Sequence, residues 1–170
     1  MKKILGLMFV IVLSVTALGQ VYSQPSFSAT FPAGEVKFST QDVKSKEGNN
    51  VSYNAWTVET NGGNRAYIVS YVDYPTVRDS NQMPNVIDAE FSGVSNKPTY
   101  TKENSTVGRL PGLAGVGSGI SGADGKTLVY AYTRAALTEN RLRLWQIMVV
   151  SSTPLTAAEV NVFFDSVIIK

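Results

Sequence analysis

Two segments of this chain are apolar at both odd and even positions, and this pattern constrains the fold more than any other feature. Within residues 65–74, Val69 and Tyr71 would lie on one face of a strand, while Val72 would lie on the other. Residues 141–151 show the same double pattern. A strand with two apolar faces belongs to a sheet that is covered on both sides. We therefore expect an α+β fold, in which helices pack on both faces of an antiparallel β-sheet to form an α/β/α sandwich.

Turn signals predict two long hairpins. Residues 51–59 are rich in β-branched and aromatic side chains, and the sequence Asn-Gly-Gly-Asn at 61–64 tolerates the positive φ of a tight turn. Together with residues 65–74 they predict the first hairpin. Residues 126–136 and 141–151 predict the second hairpin, which would turn at residues 138–140.

Two helices are expected. The first begins near Pro84, because proline is tolerated in the first helical turn, and continues to about Phe91. The second is marked by a capping box, in which Thr156 and Glu159 satisfy each other's free backbone N–H groups. Its apolar positions follow the spacing i, i+3, i+4 and i+7 of a buried helical stripe: Val160, Phe163, Phe164 and Val167.

The first residues have the pattern of a secretory signal peptide. Lys2 and Lys3 precede an apolar run at residues 4–18, which is shorter than the ~20 residues of a membrane-spanning helix. Small residues at the −3 and −1 positions allow cleavage after Gly19 or after Ser23. We expect a leader within residues 1–23, typical of bacteria, and one exported domain, periplasmic or secreted, over residues 24–170. An uncleaved membrane anchor is the less favoured alternative.

The leader accounts for the net charge of +2, which is 15 basic minus 13 acidic residues. Residues 1–24 contain two lysines and no acid, so the remainder carries 13 residues of each sign. A neutral domain has no electrostatic basis for binding nucleic acid or an anionic membrane. The chain has no cysteine, which excludes disulfides and a lipid-anchored cysteine.

A glycine-rich segment at residues 108–125 contains a G-x-G-x-x-G pattern at residues 117–122. A dinucleotide site requires a strand before this pattern and a helix after it, but here an Asp-Gly turn and a strand follow. The P-loop pattern before Lys126 and Thr127 also fails, because Ile120 occupies the position of its first glycine. We expect a strand or edge segment that packs closely against a neighbour, and a tight turn at residues 124–125. No cofactor is predicted.

The composition excludes several catalytic mechanisms. Without histidine or cysteine, the chain cannot form a Ser-His-Asp triad, a Cys-His pair or a histidine-ligated metal site. A Ser-Lys pair could use Ser118 or Ser121 with Lys126, and Asp73 could pair with Asp88 or Glu90 if the fold brought them together. No local pattern supports either arrangement, and no calcium-loop motif occurs. We assign no catalytic residue and no metal site.

Binding residues are the remaining candidates. Tyr71, Asp73 and Tyr74 lie at the end of one predicted strand, and Arg141 and Arg143 share a face of another. Aromatic residues beside an arginine are frequent anchors of protein interfaces. For these particular residues we favour the simpler interpretation, in which the tyrosines belong to the core and the arginines to a solvated face.

Four segments in order carry a family resemblance: Phe-Ser-Ala-Thr-Phe-Pro at 27–32, Tyr-Ile-Val-Ser-Tyr-Val-Asp-Tyr-Pro at 67–75, Arg-Leu-Arg-Leu-Trp-Gln-Ile at 141–147 and Val-Phe-Phe-Asp-Ser-Val-Ile at 162–168. In this order they resemble the PsbP/Mog-type domains over about residues 26–169. The resemblance implies an antiparallel sheet between helices and a mostly non-enzymatic role, as in exported bacterial PsbP-like proteins. It provides no functional residues to transfer.

These observations favour an exported, non-catalytic binding or envelope-associated module, with an envelope or secreted protein as its partner. One alternative is a histidine-free hydrolase or transferase that uses Ser and Lys or carboxylates. It predicts that Asp73, Ser118, Ser121, Asp124 and Lys126 converge in one cleft. The other alternative is a small-ligand carrier, which predicts an apolar cavity between the layers.

Overall fold

The structure is a computed structural model that describes residues 19–44, 50–74, 83–91, 99–104, 111–121, 126–137 and 142–170. In chain order these residues form the elements β1 (Gln20–Ser23), β2 (Phe27–Phe31), β3 (Lys37–Lys44), β4 (Asn50–Thr60), β5 (Arg65–Tyr74), α1 (Met83–Phe91), β6 (Thr99–Asn104), β7 (Pro111–Ser121), β8 (Thr127–Leu137), β9 (Leu142–Ser151), α2 (Ala157–Ser166) and β10 (Ile168–Ile169).

Seven strands form one antiparallel sheet in the order β3-β4-β5-β9-β8-β7-β6. Both predicted hairpins are confirmed, since β4 pairs with β5 and β8 pairs with β9. The first turns through Asn61–Gly63, and all three of these residues have positive φ. This is the conformation that the Asn-Gly-Gly-Asn sequence favours. The turn at residues 138–140 lies outside the described residues.

One face of this sheet is rich in aromatic side chains and is called the aromatic face below. It carries Tyr71 and Trp145, which are paired across β5 and β9, and Trp56 of β4, which is paired with Val69 and shares their face. A second antiparallel sheet, in the order β1-β2-β10, packs on this face together with α2. Phe27 of β2 contacts Trp56, with ring centroids 4.9 Å apart, and Trp145, at 6.0 Å. Burial of these rings accounts for much of the apolar core.

The opposite face carries small residues and is called the small-residue face. Gly117 pairs with Ala131, and Gly115 and Gly119 share their face because side-chain direction alternates along a strand. Helix α1 lies over β7 and β8 here, and its Ile87 side chain is fully buried. It packs in a cluster with Ala131, Ala135, Leu142 and Leu144. Glycine and alanine allow the helix to approach the sheet closely, which explains the glycine-rich sequence.

The expected fold class is wrong. We expected an α+β sandwich with helices over both faces, but the described residues are mostly strand, in two antiparallel sheets with two helices. A strand with two apolar faces shows that both are covered, without showing what covers them. On the aromatic face a three-stranded sheet shares the cover with α2. On the other face α1 has just nine residues.

Of the two expectations for the glycine-rich segment, a strand or an edge segment, the structure shows a strand inside the sheet. Strand β7 pairs with β6 on one side and with β8 on the other, so it is not an edge of the sheet. Residues 117–121 of the G-x-G-x-x-G pattern therefore belong to a strand and not to a phosphate-binding loop. The expected turn at residues 124–125 lies outside the described residues.

Helix α2 confirms the predicted capping box. The Thr156 hydroxyl accepts a hydrogen bond from the Glu159 backbone N–H at 3.3 Å, and the Glu159 carboxylate accepts from the Thr156 N–H at 2.8 Å. Of the predicted stripe, Val160 and Phe163 are buried, and Phe164 and Val167 pack beside them. The Phe163 ring contacts Phe31 at 5.4 Å, which holds the helix to the small sheet.

Candidate functional site

The structure brings together three of the five predicted binding residues. Asp73 pairs with Arg143 across β5 and β9, and Tyr71 pairs with Trp145 two residues further along, so all of them share the aromatic face. Tyr74 has the opposite parity and packs on the small-residue face, beside the cluster around Ile87. Tyr71, Asp73 and Tyr74 all lie at the end of β5, as expected, but Tyr74 is on the other face from Tyr71 and Asp73. Arg141 lies outside the described residues.

Arg143 and Asp73 form a bidentate ion pair. The Nε of Arg143 donates to Oδ1 of Asp73 at 2.7 Å, and an Nη donates to Oδ2 at 2.8 Å. The side chains are 25% and 21% exposed, respectively. The hydrogen bond to Asp73 raises the pKa of Arg143 above its ordinary value, although burial acts in the opposite direction. Because each charge is matched by the other, the pair suits packing against a partner better than capturing a free anion.

The guanidinium of Arg143 also lies against two aromatic rings. Its Cζ is 4.2 Å from the centroid of Tyr71 and 5.7 Å from that of Trp145. Both distances lie within the ~6 Å of a cation–π interaction. The ion pair and the two rings hold the arginine in one orientation, so little side-chain entropy remains to be lost when a partner binds.

A continuous row of rings extends from this arginine to the edge of the sheet. Trp145 contacts Tyr71 at 4.9 Å, Tyr71 contacts Trp56 at 5.8 Å, and Trp56 contacts Phe38 at 5.0 Å. Trp56 and Trp145 are buried, Tyr71 is half-buried, and Phe38 is 55% exposed. We call Phe38, Trp56, Tyr71, Trp145, Asp73 and Arg143 the aromatic–arginine cluster.

Sequence reasoning missed Phe38, Trp56 and Trp145 as members of this cluster. Trp56 belongs to a strand that was predicted correctly, but its position diagonal to Tyr71, and the pairing of Phe38 with Trp56, depend on the register of β3, β4 and β5. The sequence did contain one observation that could have identified Trp145 as a neighbour of Arg143. Trp145 lies two residues after Arg143, and residues at i and i+2 share a face of a strand.

Polar side chains border the cluster at the sheet edge. Asp42 of β3 is paired with Ser52 of β4, and the Ser52 hydroxyl donates to Asp42 Oδ1 at 2.7 Å. Thr40 is paired with Asn54, which is in turn paired with Tyr71. Asp42, Ser52 and Thr40 are exposed. Solvated polar side chains therefore border the exposed Phe38 ring, as they do at the rim of a protein interface.

Asp73 lies far from the serine and lysine residues proposed for catalysis. Asp73 is aligned through β9 and β8 with Gly112 of β7, whereas Ser118 lies six residues further along that strand. At a rise of ~3.3 Å per residue, Ser118 is about 20 Å from the level of Asp73 and three strands away. Ser121 and Lys126 are beyond Ser118, at the other end of the sheet.

The proposed carboxylate pair also fails to form. Asp88 belongs to α1, which packs on the small-residue face, whereas Asp73 is on the aromatic face. Asp124 lies outside the described residues, and so does the side chain of Glu90. Among the described residues, no group of three or more acidic side chains could hold a metal ion.

Comparison with known proteins does not identify the chain. No family model matches it, and no curated protein matches it with significance. The resemblance to PsbP/Mog-type domains is therefore still a hypothesis. Within the described residues, no helix is both long and apolar enough to span a membrane.

Proposed function

We propose that the protein is an exported, non-catalytic binding module that binds an envelope or secreted protein through the aromatic–arginine cluster. The observation that carries this proposal is the exposed Phe38 ring on the buried Trp56 ring, at the end of a row of aromatics that leads to Arg143. A large apolar side chain that is 55% exposed on a rigid base is suited to be buried by another protein.

The electrostatics of the cluster support a protein partner. Arginine and aromatic residues are enriched at interfaces, and the Asp73–Arg143 pair neutralises its own charge. Neither a nucleic acid nor an anionic surface is favoured by such a site, in agreement with a neutral mature chain.

The two alternatives receive less support. A histidine-free hydrolase was expected to gather Asp73 with Ser118, Ser121 and Lys126 in one cleft, but Asp73 lies far from these residues on the sheet. A carrier of small apolar ligands requires space between the layers. There, the Phe27 ring contacts that of Trp145 and the Phe31 ring contacts that of Tyr22, and Phe27, Phe31 and Trp145 are almost completely buried.

The experiment compares capture by the wild-type domain with capture by two variants. The immobilised mature domain is incubated with an envelope extract from the organism that produces the protein, and bound proteins are identified by mass spectrometry. Phe38→Ser should abolish capture of the partner. Val162→Ser is the matched control, because Val162 is 75% exposed but lies on α2, away from the cluster. It should capture the partner as the wild type does.

Both substitutions change exposed side chains, so both variants should fold, which circular dichroism verifies. Equal capture by Phe38→Ser and the wild type would refute the proposed surface. If the wild-type domain captures no protein that is absent from a blank matrix, the proposed binding function is refuted.

A further inference from the structure

Strand β1 discriminates between the two cleavage points that the leader allows. We propose that the leader is removed by hydrolysis of the Gly19–Gln20 bond, an inference that rests on the proposed export. Water adds across this bond, so that Gly19 leaves as a carboxylate and Gln20 acquires the free α-amino group. The cut keeps all of β1, Gln20–Ser23, in the mature protein, whereas a cut after Ser23 removes it.

The first reason is backbone pairing. Strand β1 is antiparallel to β2 along its whole length, from Gln20 opposite Phe31 to Ser23 opposite Ser28. Without β1, the side of β2 that now pairs with it would have no strand partner among the described residues. Buried or shielded backbone groups that lose their partners destabilise a sheet, and an unpaired edge also favours aggregation.

The second reason is side-chain packing. The Tyr22 ring lies 6.3 Å from that of Phe27 and 6.1 Å from that of Phe31, and both phenylalanines are fully buried. The Tyr22 hydroxyl accepts a hydrogen bond from Nε2 of Gln24 at 2.7 Å. A cut after Ser23 would remove Tyr22 and uncover part of the core beneath it.

The third reason is that the residues on both sides of the Ser23–Gln24 bond accept hydrogen bonds from Lys170. Nζ of Lys170 donates to the Ser23 hydroxyl at 2.9 Å and to the Gln24 carbonyl at 3.3 Å. The backbone N–H of Lys170 donates to the Ser26 carbonyl at 2.9 Å. A cut after Ser23 would therefore remove one of the two acceptors that hold the Lys170 ammonium in this corner of the domain.

The surroundings of Gly19 also set the order of events. A Cβ at this position would lie 2.7 Å from Cγ2 of Thr30 and 3.0 Å from the Phe31 carbonyl oxygen, so the backbone of Gly19 is close to β2 when β1 is paired. A peptidase must bind the chain around the scissile bond in extended form. We therefore expect cleavage before β1 pairs with β2.

The experiment is intact-mass analysis and N-terminal sequencing of the protein after expression of the full chain in an exporting bacterial host. The expected product begins at Gln20, with or without the loss of one ammonia through cyclisation of an N-terminal glutamine. A product that begins at Gln24, or at any residue other than Gln20, overturns the assignment while leaving export intact. A product that retains the whole leader overturns both this assignment and the proposed export.

Two matched variants test which bond the peptidase uses, because glutamine is too large for the −1 position. Ser23→Gln should leave the N-terminus at Gln20 and the yield of processed protein unchanged. Gly19→Gln should reduce processing and cause the precursor to accumulate. The reverse result, with processing lost in Ser23→Gln and normal in Gly19→Gln, would overturn the assignment.

Discussion

Replacing Arg143 with methionine removes its charge but keeps a side chain long enough to cover Tyr71. The change leaves Asp73, which is 21% exposed, without the two hydrogen bonds it accepts from the guanidinium. Exposed ion pairs contribute about 0–1 kcal/mol, whereas removal of one partner from a fully buried pair costs about 3–5 kcal/mol. Because this pair is mostly but not fully buried, we expect Arg143→Met to lower the free energy of unfolding by about 1.5–3 kcal/mol.

A double-mutant cycle with Asp73→Asn isolates the interaction between the two side chains. The assay is urea unfolding of residues 20–170, monitored by circular dichroism and by the fluorescence of Trp56 and Trp145, the two tryptophans of the chain. We expect a coupling energy of about 1–2 kcal/mol that changes little between low and high salt, since partly buried pairs are weakly screened.

The pair formed by Lys37 and Glu59 is the matched control. Its N–O distance is 3.2 Å, but its side chains are 60% and 52% exposed. The same cycle on this pair should give a coupling energy below about 1 kcal/mol that falls with added salt. A coupling between Arg143 and Asp73 below about 0.5 kcal/mol, or one that salt abolishes, would refute the view that this pair is a rigid part of the cluster.

Three further predictions concern the helices and β1. Ile87→Ala should lower the free energy of unfolding by about 2–5 kcal/mol in urea titrations, because Ile87 is fully buried between α1 and the sheet. Deletion of residues 20–23 should cost about 2 kcal/mol or more through the loss of Tyr22 packing, whereas Val21→Ser, at a position that is 78% exposed, should change stability by less than about 0.5 kcal/mol. The backbone hydrogen bond from Thr156, followed by its side-chain bond, lowers the pKa of Glu159. The stabilisation from Glu159 is therefore complete above the ordinary glutamate pKa and is lost as the pH falls through the lowered one. In thermal unfolding, the stability difference between the wild type and Glu159→Gln should shrink as the pH falls below the ordinary glutamate pKa.

Part of the candidate site was predictable from the sequence. Strand parity places Tyr71, Asp73 and Tyr74 correctly once it is applied strictly: Tyr71 and Asp73 share a face, and Tyr74 has the other. The pairing of Asp73 with Arg143 was not predictable, because β5 and β9 are separated by most of the second half of the chain. Their register depends on the packing of the whole sheet.

What the sequence determined by itself is local. The hairpin of β4 and β5, the cap of α2 and the strand nature of the glycine-rich segment each follow from residues within a few positions of one another, because turn geometry and capping act over short distances. The tertiary structure decided what covers the aromatic face. There β2 meets β1 and β10, and the Ser166 hydroxyl accepts from the Thr30 N–H at 3.1 Å, across 136 residues of chain. Apolar burial requires a cover but does not specify its type, so this choice depends on which segments fit together in three dimensions.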